Sequence, residues 1–272
     1  MADIYIGESA QGAGTGADWA NCKLKTAANV QGAVDALTAG DTLHCGWGGA
    51  TGSPLSLTDG TRGGGEDGTA LDIDQNSGAF NSPTLVLSYD WNDGSPVISR
   101  SKASRSIIDG DGTATHCVYQ NGVTYWIFSG FDFINAASHG FYKAGNDYVT
   151  LIYCGARNNG GDGFNTGNFA TVFWCEADGN ATFGLKAVVH TRVFGCVFAN
   201  NGSTGLYCSP RSTIGMCLAH GNGGSGMHAN IMSIIYGNVC HGNDESGIYT
   251  TNKGAVIVGN RATDNGHYGI RS

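Results

Sequence analysis

The chain has 272 residues, 45 of them glycine and only 4 proline, and carries a formal net charge of −8. Hydrophobic residues make up 41%, which excludes wholesale disorder, and so few prolines exclude collagen and proline-rich linkers. No apolar run approaches the roughly 20 residues of a membrane helix, and 14 basic residues against 22 acidic ones argue against nucleic acid as a partner.

In chain order, residues 1–14 show no basic residue ahead of an apolar block, so no secretory signal is expected. Val30, Ala33, Val34 and Leu37 follow helical spacing, with Asn29 as N-cap and Gly40 as stop, and predict a short amphipathic helix over 30–38. A first strand is predicted over 41–45. Residues 47–82 are Gly-rich, acidic and irregular, and read as a long excursion. Strands are expected to resume at 84–87, 97–98 and 107–108. The charge divides unevenly: residues 1–124 hold 6 basic and 14 acidic side chains, residues 125–272 hold 8 of each. The chain is therefore read as one continuous domain in three stretches: 1–46 with the helix and first strand, 47–124 with irregular early coils and acidic loops, and 125–272 with regular coils.

That last stretch is a repeat. Gly140-Phe141, Gly163-Phe164, Gly184-Leu185, Gly205-Leu206, Gly226-Met227, Gly247-Ile248 and Gly269-Ile270 recur at steps of 21 to 23 residues. Asn159, Asn180, Asn201, Asn222, Asn243 and Asn265 stand four residues before those glycines after the first. Nine residues before them stand Cys154, Cys175, Cys196 and Cys217, then Asn238 and Asn260. Leucine-rich repeats share the period but need a leucine-dominated consensus, and helical repeats are longer and poorer in Gly, Asn and β-branched residues. Short apolar stretches between Asn/Gly turns instead predict coils of three short strands, stacked in parallel at about 4.8 Å per coil. Stacking places like residues over like. Asn rungs can then bond one another, and glycine is expected to supply positive φ at the turns.

The units NGGDGF, NGSTGLY, NGGSGMH, NDESGIY and NGHYGI resemble coils of right-handed parallel β-helices of the pectin lyase-like superfamily, over residues 28–272. The resemblance implies an all-β, single-domain solenoid whose N-terminal helix caps the open end. It implies little about function, because the superfamily includes polysaccharide lyases, glycoside hydrolases, epimerases and phage tailspikes. No cap is recognisable at Ser272, so a partner subunit or further chain is expected there.

Strand alternation turns the residue after each large apolar one outward. That column reads Tyr142, Asn165, Lys186, Tyr207, His228, Tyr249 and Arg271, with Tyr119 extending it upward. A ribbon of tyrosines and hydrogen-bonding groups suits sugars, and in the resembled superfamily this first-sheet face often carries the polysaccharide groove. It suits a subunit interface equally, and an exposed β face favours Tyr in any case. As chemistry, Lys186, Tyr207 and His228 on consecutive coils could supply the base and acid of a lyase, assisted by Asp162. The paired carboxylates of a hydrolase are missing from the column. Asp72, Asp74 and Asn76 begin like a calcium loop, but the Gly falls one place late and no Glu closes it, so solvated acidic loops compete with calcium; no other cofactor is expected. The cysteine ladder reads as inward free thiols, with Cys22 and Cys45 the pair most suited to a bridge. His190, His220 and His241 show no metal spacing.

Two functions follow. The first is a non-catalytic structural or glycan-binding protein of a virus particle, such as a tailspike, fibre or decoration subunit. It would be made in the host cytoplasm without a signal peptide, with itself as a homotrimer or other virion proteins as partners, and with no membrane role. The second is a polysaccharide lyase, or a related carbohydrate-active enzyme, using the outward face of the first parallel sheet. A bacterial cell-surface or secreted protein is a third reading if the chain is a fragment.

Overall fold

The computed structural model describes residues 3–7, 23–24, 32–45, 56–58, 71–73, 82–92, 95–98, 105–145, 148–251 and 254–272. They form a parallel β-helix whose coils each contribute one strand to three sheets. In one regular coil Val149–Ile152 lies in sheet A, Gly155–Arg157 in sheet B and Phe164–Thr166 in sheet C. The next coil sets Thr171–Phe173, Glu176–Asp178 and Leu185–Ala187 beneath them in parallel register. The pattern runs to Val256–Val258, Arg261–Thr263 and Ile270–Arg271.

Each strand is short because the chain must bend three times in one period, and the bends are made by single residues with positive φ. In sheets A and B the middle residue of each short strand points inward, and in sheet C the two flanking residues do. Leu151, Val172, Val193, Ile214 and Ile235 line the interior from sheet A, with Ala156, Ala177, Phe198, Ala219 and Cys240 from sheet B. From sheet C the large residue after the repeat glycine, from Phe141 to Ile248, completes the core. The Asn ladder is buried: Asn159, Asn180, Asn201, Asn222 and Asn243 each donate the side-chain amide to Oδ1 of the next rung at 2.8 to 2.9 Å. The cysteine ladder is also as expected, buried and free, as are Cys45, Cys117, Cys208 and Cys240. Burial pushes Cys45, Cys208 and Cys240 up to about 12, so the thiols pack as small apolar groups rather than as nucleophiles. Cys45 is thus unbridged, and Cys22 lies outside the described residues.

Three expectations change. The glycines before the large apolar residues are not there for positive φ. A Cβ on Gly184 would stand 2.5 Å from the carbonyl oxygen of Gly205 and 2.8 Å from the amide of Asn201, so the ladder itself excludes a side chain. Positive φ belongs to other glycines, at the corners, such as Gly179 and Gly221. Residues 47–82 are no mere excursion either: Ser56–Thr58 and Leu71–Ile73 pair with Ser106–Asp109 and His116–Asn121 as rungs of sheets B and C, at spacings in the sequence that hide the period. Val97 and Ile98 belong to Ser95–Ile98, which pairs antiparallel with Thr84–Asn92 as a hairpin off sheet A.

At the N-terminal end the helix expected over 30–38 is a single turn at 32–35, with Ala33, Val34 and Leu37 buried against the core; Asn29 and Val30 lie outside the described residues. Ahead of it Asp3–Gly7, unforeseen, pairs with Thr42–Cys45 as a further rung of sheet A. No helix among the described residues is long and apolar enough to cross a membrane.

Candidate functional site

The outward column falls in sheet C in unbroken register. Tyr119 pairs with Tyr142, Tyr142 with Asn165, Asn165 with Lys186, and Lys186 with Tyr207. Below them Tyr207 pairs with His228, His228 with Tyr249, and Tyr249 with Arg271. Every side chain of the column is half-buried except Lys186 and Arg271, which are exposed. The flanking residues of each short strand point inward, so the alternation of the pleat alone puts these side chains on one outer surface.

The upper end holds two histidines that the sequence reading passed over. His116 and His139 pair in register and stack with ring centroids 5.2 Å apart, while Tyr119 and Tyr142 stack at 5.7 Å. Their signal was present: Thr115-His116 and Ser138-His139 precede the two tyrosines at matching positions. His139 Nδ1 accepts the backbone N–H of Asp162 at 2.9 Å, which leaves the neutral ring's proton on Nε2. Burial holds this imidazole below the usual histidine value; Asp162 pulls it up and Lys186 pushes it down. Asp162 is itself buried, and its carboxylate accepts hydrogen bonds from Asn165 Nδ2 at 2.8 Å, from Phe183 N at 3.3 Å and from the Thr182 hydroxyl. Those donors fall on both oxygens and tie Asp162 to Asn165 and to the turn of the next coil.

The lower end is an unbroken run of rings. Lys186 Nζ lies 5.9 Å from the Phe183 centroid, Phe183 meets Tyr207 at 5.6 Å, and Tyr207 meets the His228 ring edge-on at 4.9 Å. His228 meets Tyr249 at 4.7 Å, and the Arg271 guanidinium sits 5.2 Å over Tyr249. Tyr207 OH accepts a hydrogen bond from Asn230 at 3.3 Å. His228 Nε2 is enclosed and unpaired, and burial holds its imidazole below the usual value, opposed by Glu245. Of the four residues expected to do chemistry, Lys186 alone is exposed; Tyr207 and His228 are half-buried and Asp162 is buried.

Among the described side chains the carboxylates bordering the column are Asp162 and Glu245, four coils apart. At about 4.8 Å per coil that is roughly 19 Å, beyond the 5 to 10 Å of a glycoside hydrolase pair. The calcium candidates are not brought to this face by any described side chain. Asp72 pairs with Tyr119 through the backbone of Leu71–Ile73, but its side chain, like Asp74 and Asn76, lies outside the described residues. Among the described residues no three His, Cys, Asp or Glu side chains come together to hold a metal. His220 and His241 stack at 5.2 Å on sheet B.

A sequence family described as a right-handed beta helix region matches residues 167–272. No curated protein matches the chain. Among solved structures, pectate lyase Pel9A superposes with a TM-score of 0.68 at 18% identity, over 95% of this chain and 70% of its own. A rhamnogalacturonan lyase gives 0.58 at 13%, over 92% and 73%. The periplasmic alginate epimerase AlgG gives 0.54 at 10%, over 86% and 59%. At such identities the likeness is one of fold: the chain has the right-handed parallel β-helix, or pectin lyase-like, fold.

Proposed function

We propose that this protein binds a polysaccharide laid along the solenoid axis on the outer face of sheet C, as a non-catalytic glycan-binding subunit of a virus particle. The observation that carries the binding is the registered column from Tyr119 to Arg271, in which aromatic rings, an amide, an amine and a guanidinium follow one another at the coil rise. Ring surfaces suit the apolar faces of sugars, and the polar heads suit their hydroxyls. The absence of chemistry is supported by the engaged state of Asp162, the enclosure of His228 and the wide separation of Asp162 from Glu245. Buried free thiols in ladder register support synthesis in a reducing compartment, which the particle reading requires.

The test is a binding and activity screen on neutral and acidic polysaccharides, with and without calcium, following reducing ends and the ultraviolet absorbance of unsaturated products. The reading expects saturable binding, at least tenfold weaker in Tyr207→Ala/Tyr249→Ala, and no turnover. Turnover of any substrate would overturn it. Light scattering is expected to show an oligomer, a trimer on this reading; a monomer at high concentration would count against the particle.

Lyase chemistry is the second reading, favoured by one observation: Lys186 is exposed in mid-column with Tyr207 and His228 on the rungs below. It expects unsaturated products that vanish in Lys186→Ala with folding intact.

A further inference from the structure

The outer face of sheet A carries a second surface, on a different side of the solenoid from the column of sheet C. It is bounded by two corners, and the one leading into it is built expensively. Tyr125, Phe169, His190 and Arg211 turn the chain from sheet C into sheet A at φ of 56 to 63°. At the corner from sheet A into sheet B, Tyr153 and Trp174 turn it at 53 and 52°, where Gly130, Gly195, Gly237 and Gly259 make the same turn on other coils. Left-handed backbone is unfavourable for such side chains and natural for Gly and Asn. The third corner, from sheet B to sheet C, shows what a bare turn requires: Asn158, Gly179, Asn200, Gly221 and Gly242 occupy it. The bulky residues beside sheet A are therefore kept for what their side chains do, not for the turn.

Those side chains are ordered. Tyr125, Tyr148, Phe169 and His190 stack in succession at 4.6, 4.8 and 5.2 Å with nearly parallel planes, and Tyr153 stacks on Trp174 at 5.2 Å. Tyr148, Phe169 and Trp174 remain 37 to 46% exposed. Because the rings face one another along the axis, they turn edges and hydroxyls outward, and ring edges are the electropositive part of the quadrupole. Beside the stack from Tyr125 to His190 runs a groove of about 560 Å³, lined also by Thr150, Thr171, Arg192 and Arg211. A smaller hollow of about 290 Å³ shares Arg192 and Thr213 with it and is walled by Trp174, Phe194 and Tyr236. Gly195 and Gly215 make room for that wall, since a Cβ on them would stand 2.7 Å from Trp174 and 2.4 Å from Tyr236.

The charge of this surface is unlike that of the chain. Arg192, Arg211 and His190 line it, and among the described residues no carboxylate does, although the protein carries −8 overall. We propose that the outer face of sheet A is a second ligand surface, which takes an acidic polysaccharide chain lying along the solenoid axis, its carboxylates or sulfates on Arg192 and Arg211 and its hydroxyls on the threonines and ring edges. The proposal does not depend on what sheet C binds.

Titration calorimetry with polygalacturonate, and with dextran as a neutral control, tests it on the full chain. Arg192→Ala/Arg211→Ala changes two exposed side chains and is expected to keep the melting temperature while weakening polygalacturonate binding at least tenfold. Tyr207→Ala/Tyr249→Ala on sheet C is expected to leave a polygalacturonate event that the arginine variant abolishes. A fall in affinity with added salt is expected too. The proposal is overturned if polygalacturonate does not bind, if the Tyr207→Ala/Tyr249→Ala variant binds dextran as well as polygalacturonate, or if that variant removes all binding. It is also overturned if the arginine variant instead dissolves an oligomer without changing polygalacturonate affinity, which would make this face a contact between copies.

Discussion

Asn180 donates its side-chain amide to Oδ1 of Asn201 at 2.9 Å, and its backbone N–H reaches the same oxygen at 3.2 Å. Asn201 in turn donates to Asn222 Oδ1 at 2.9 Å and to the carbonyl of Ala177 at 3.2 Å. One buried carboxamide thus serves the turn above, the strand behind and the turn below. Asn201→Ala strands an amide and a backbone N–H above and a carbonyl behind, all away from water. Each unsatisfied group costs about 1 to 3 kcal/mol, and relief by water is blocked by the coils on both sides, so a loss of about 3 kcal/mol is expected. Denaturant unfolding measures it; a loss below about 1 kcal/mol would mean that the ladder relaxes freely.

The repeat glycines make a related prediction. At Gly205 a Cβ would stand 2.7 Å from Asn222 Nδ2 and 2.8 Å from the carbonyl oxygen of Gly226. The second neighbour is backbone of the next coil and cannot swing away. Gly205→Ala is therefore expected to destabilise by about 1 to 3 kcal/mol through overpacking. Unchanged stability in the same unfolding experiment would show that the coils can separate locally.

On sheet B, Asp132 is buried between two guanidinium groups. Arg105 Nη1 donates to Oδ1 at 3.1 Å, Arg157 holds Oδ2, and Glu176 stands 3.6 Å from Arg105. Gly155, the next rung, is glycine because the carboxylate fills the space its Cβ would need. Removing one partner from a buried ion pair leaves the other uncompensated, so Asp132→Asn is expected to cost about 3 kcal/mol. Added salt should change that cost little, since buried pairs are weakly screened. A cost that disappears in high salt would place the network at the surface instead.

The repeat made the regular coils readable because stacking forces like residues into columns, and columns are visible as a period. Asn159 to Asn265, the cysteine rungs and the face from Tyr142 to Arg271 all announced themselves this way. The early coils did not, because the long Gly-rich stretches of sequence between Cys45 and Thr84 break the period while the described strands still pair in register. The aromatic corner of sheet A did carry a period, Tyr125, Tyr148, Phe169, His190 and Arg211 at 23, 21, 21 and 21 residues. It escaped notice because its chemistry changes at nearly every rung, and its position in the turn follows only from the backbone. The meeting of His139 with Asp162 is likewise a product of packing between coils, which spacing alone does not reveal.

Protonation offers a further check on the sheet C site. Burial holds both His139 and His228 below the usual value of 6.5, and the nearby carboxylates, Asp162 and Glu245, only partly oppose it. In the unfolded chain these rings take up protons near the usual value, while in the folded protein they remain neutral to lower pH. The unfolded state therefore binds more protons between the two values, and stability falls as pH drops through that window. It is fully present above about pH 6.5 and reaches its floor once pH is below the folded values. The melting temperature is expected to be lower at about pH 5 than at about pH 7.5, before most carboxylates titrate. His228→Gln, which has no charge to take up, is expected to flatten part of that slope. In proton NMR the His228 ring should titrate below 6.5, and a midpoint above that value would mean that its ring is solvated and that Nε2 is free to act as an acid on a bound sugar.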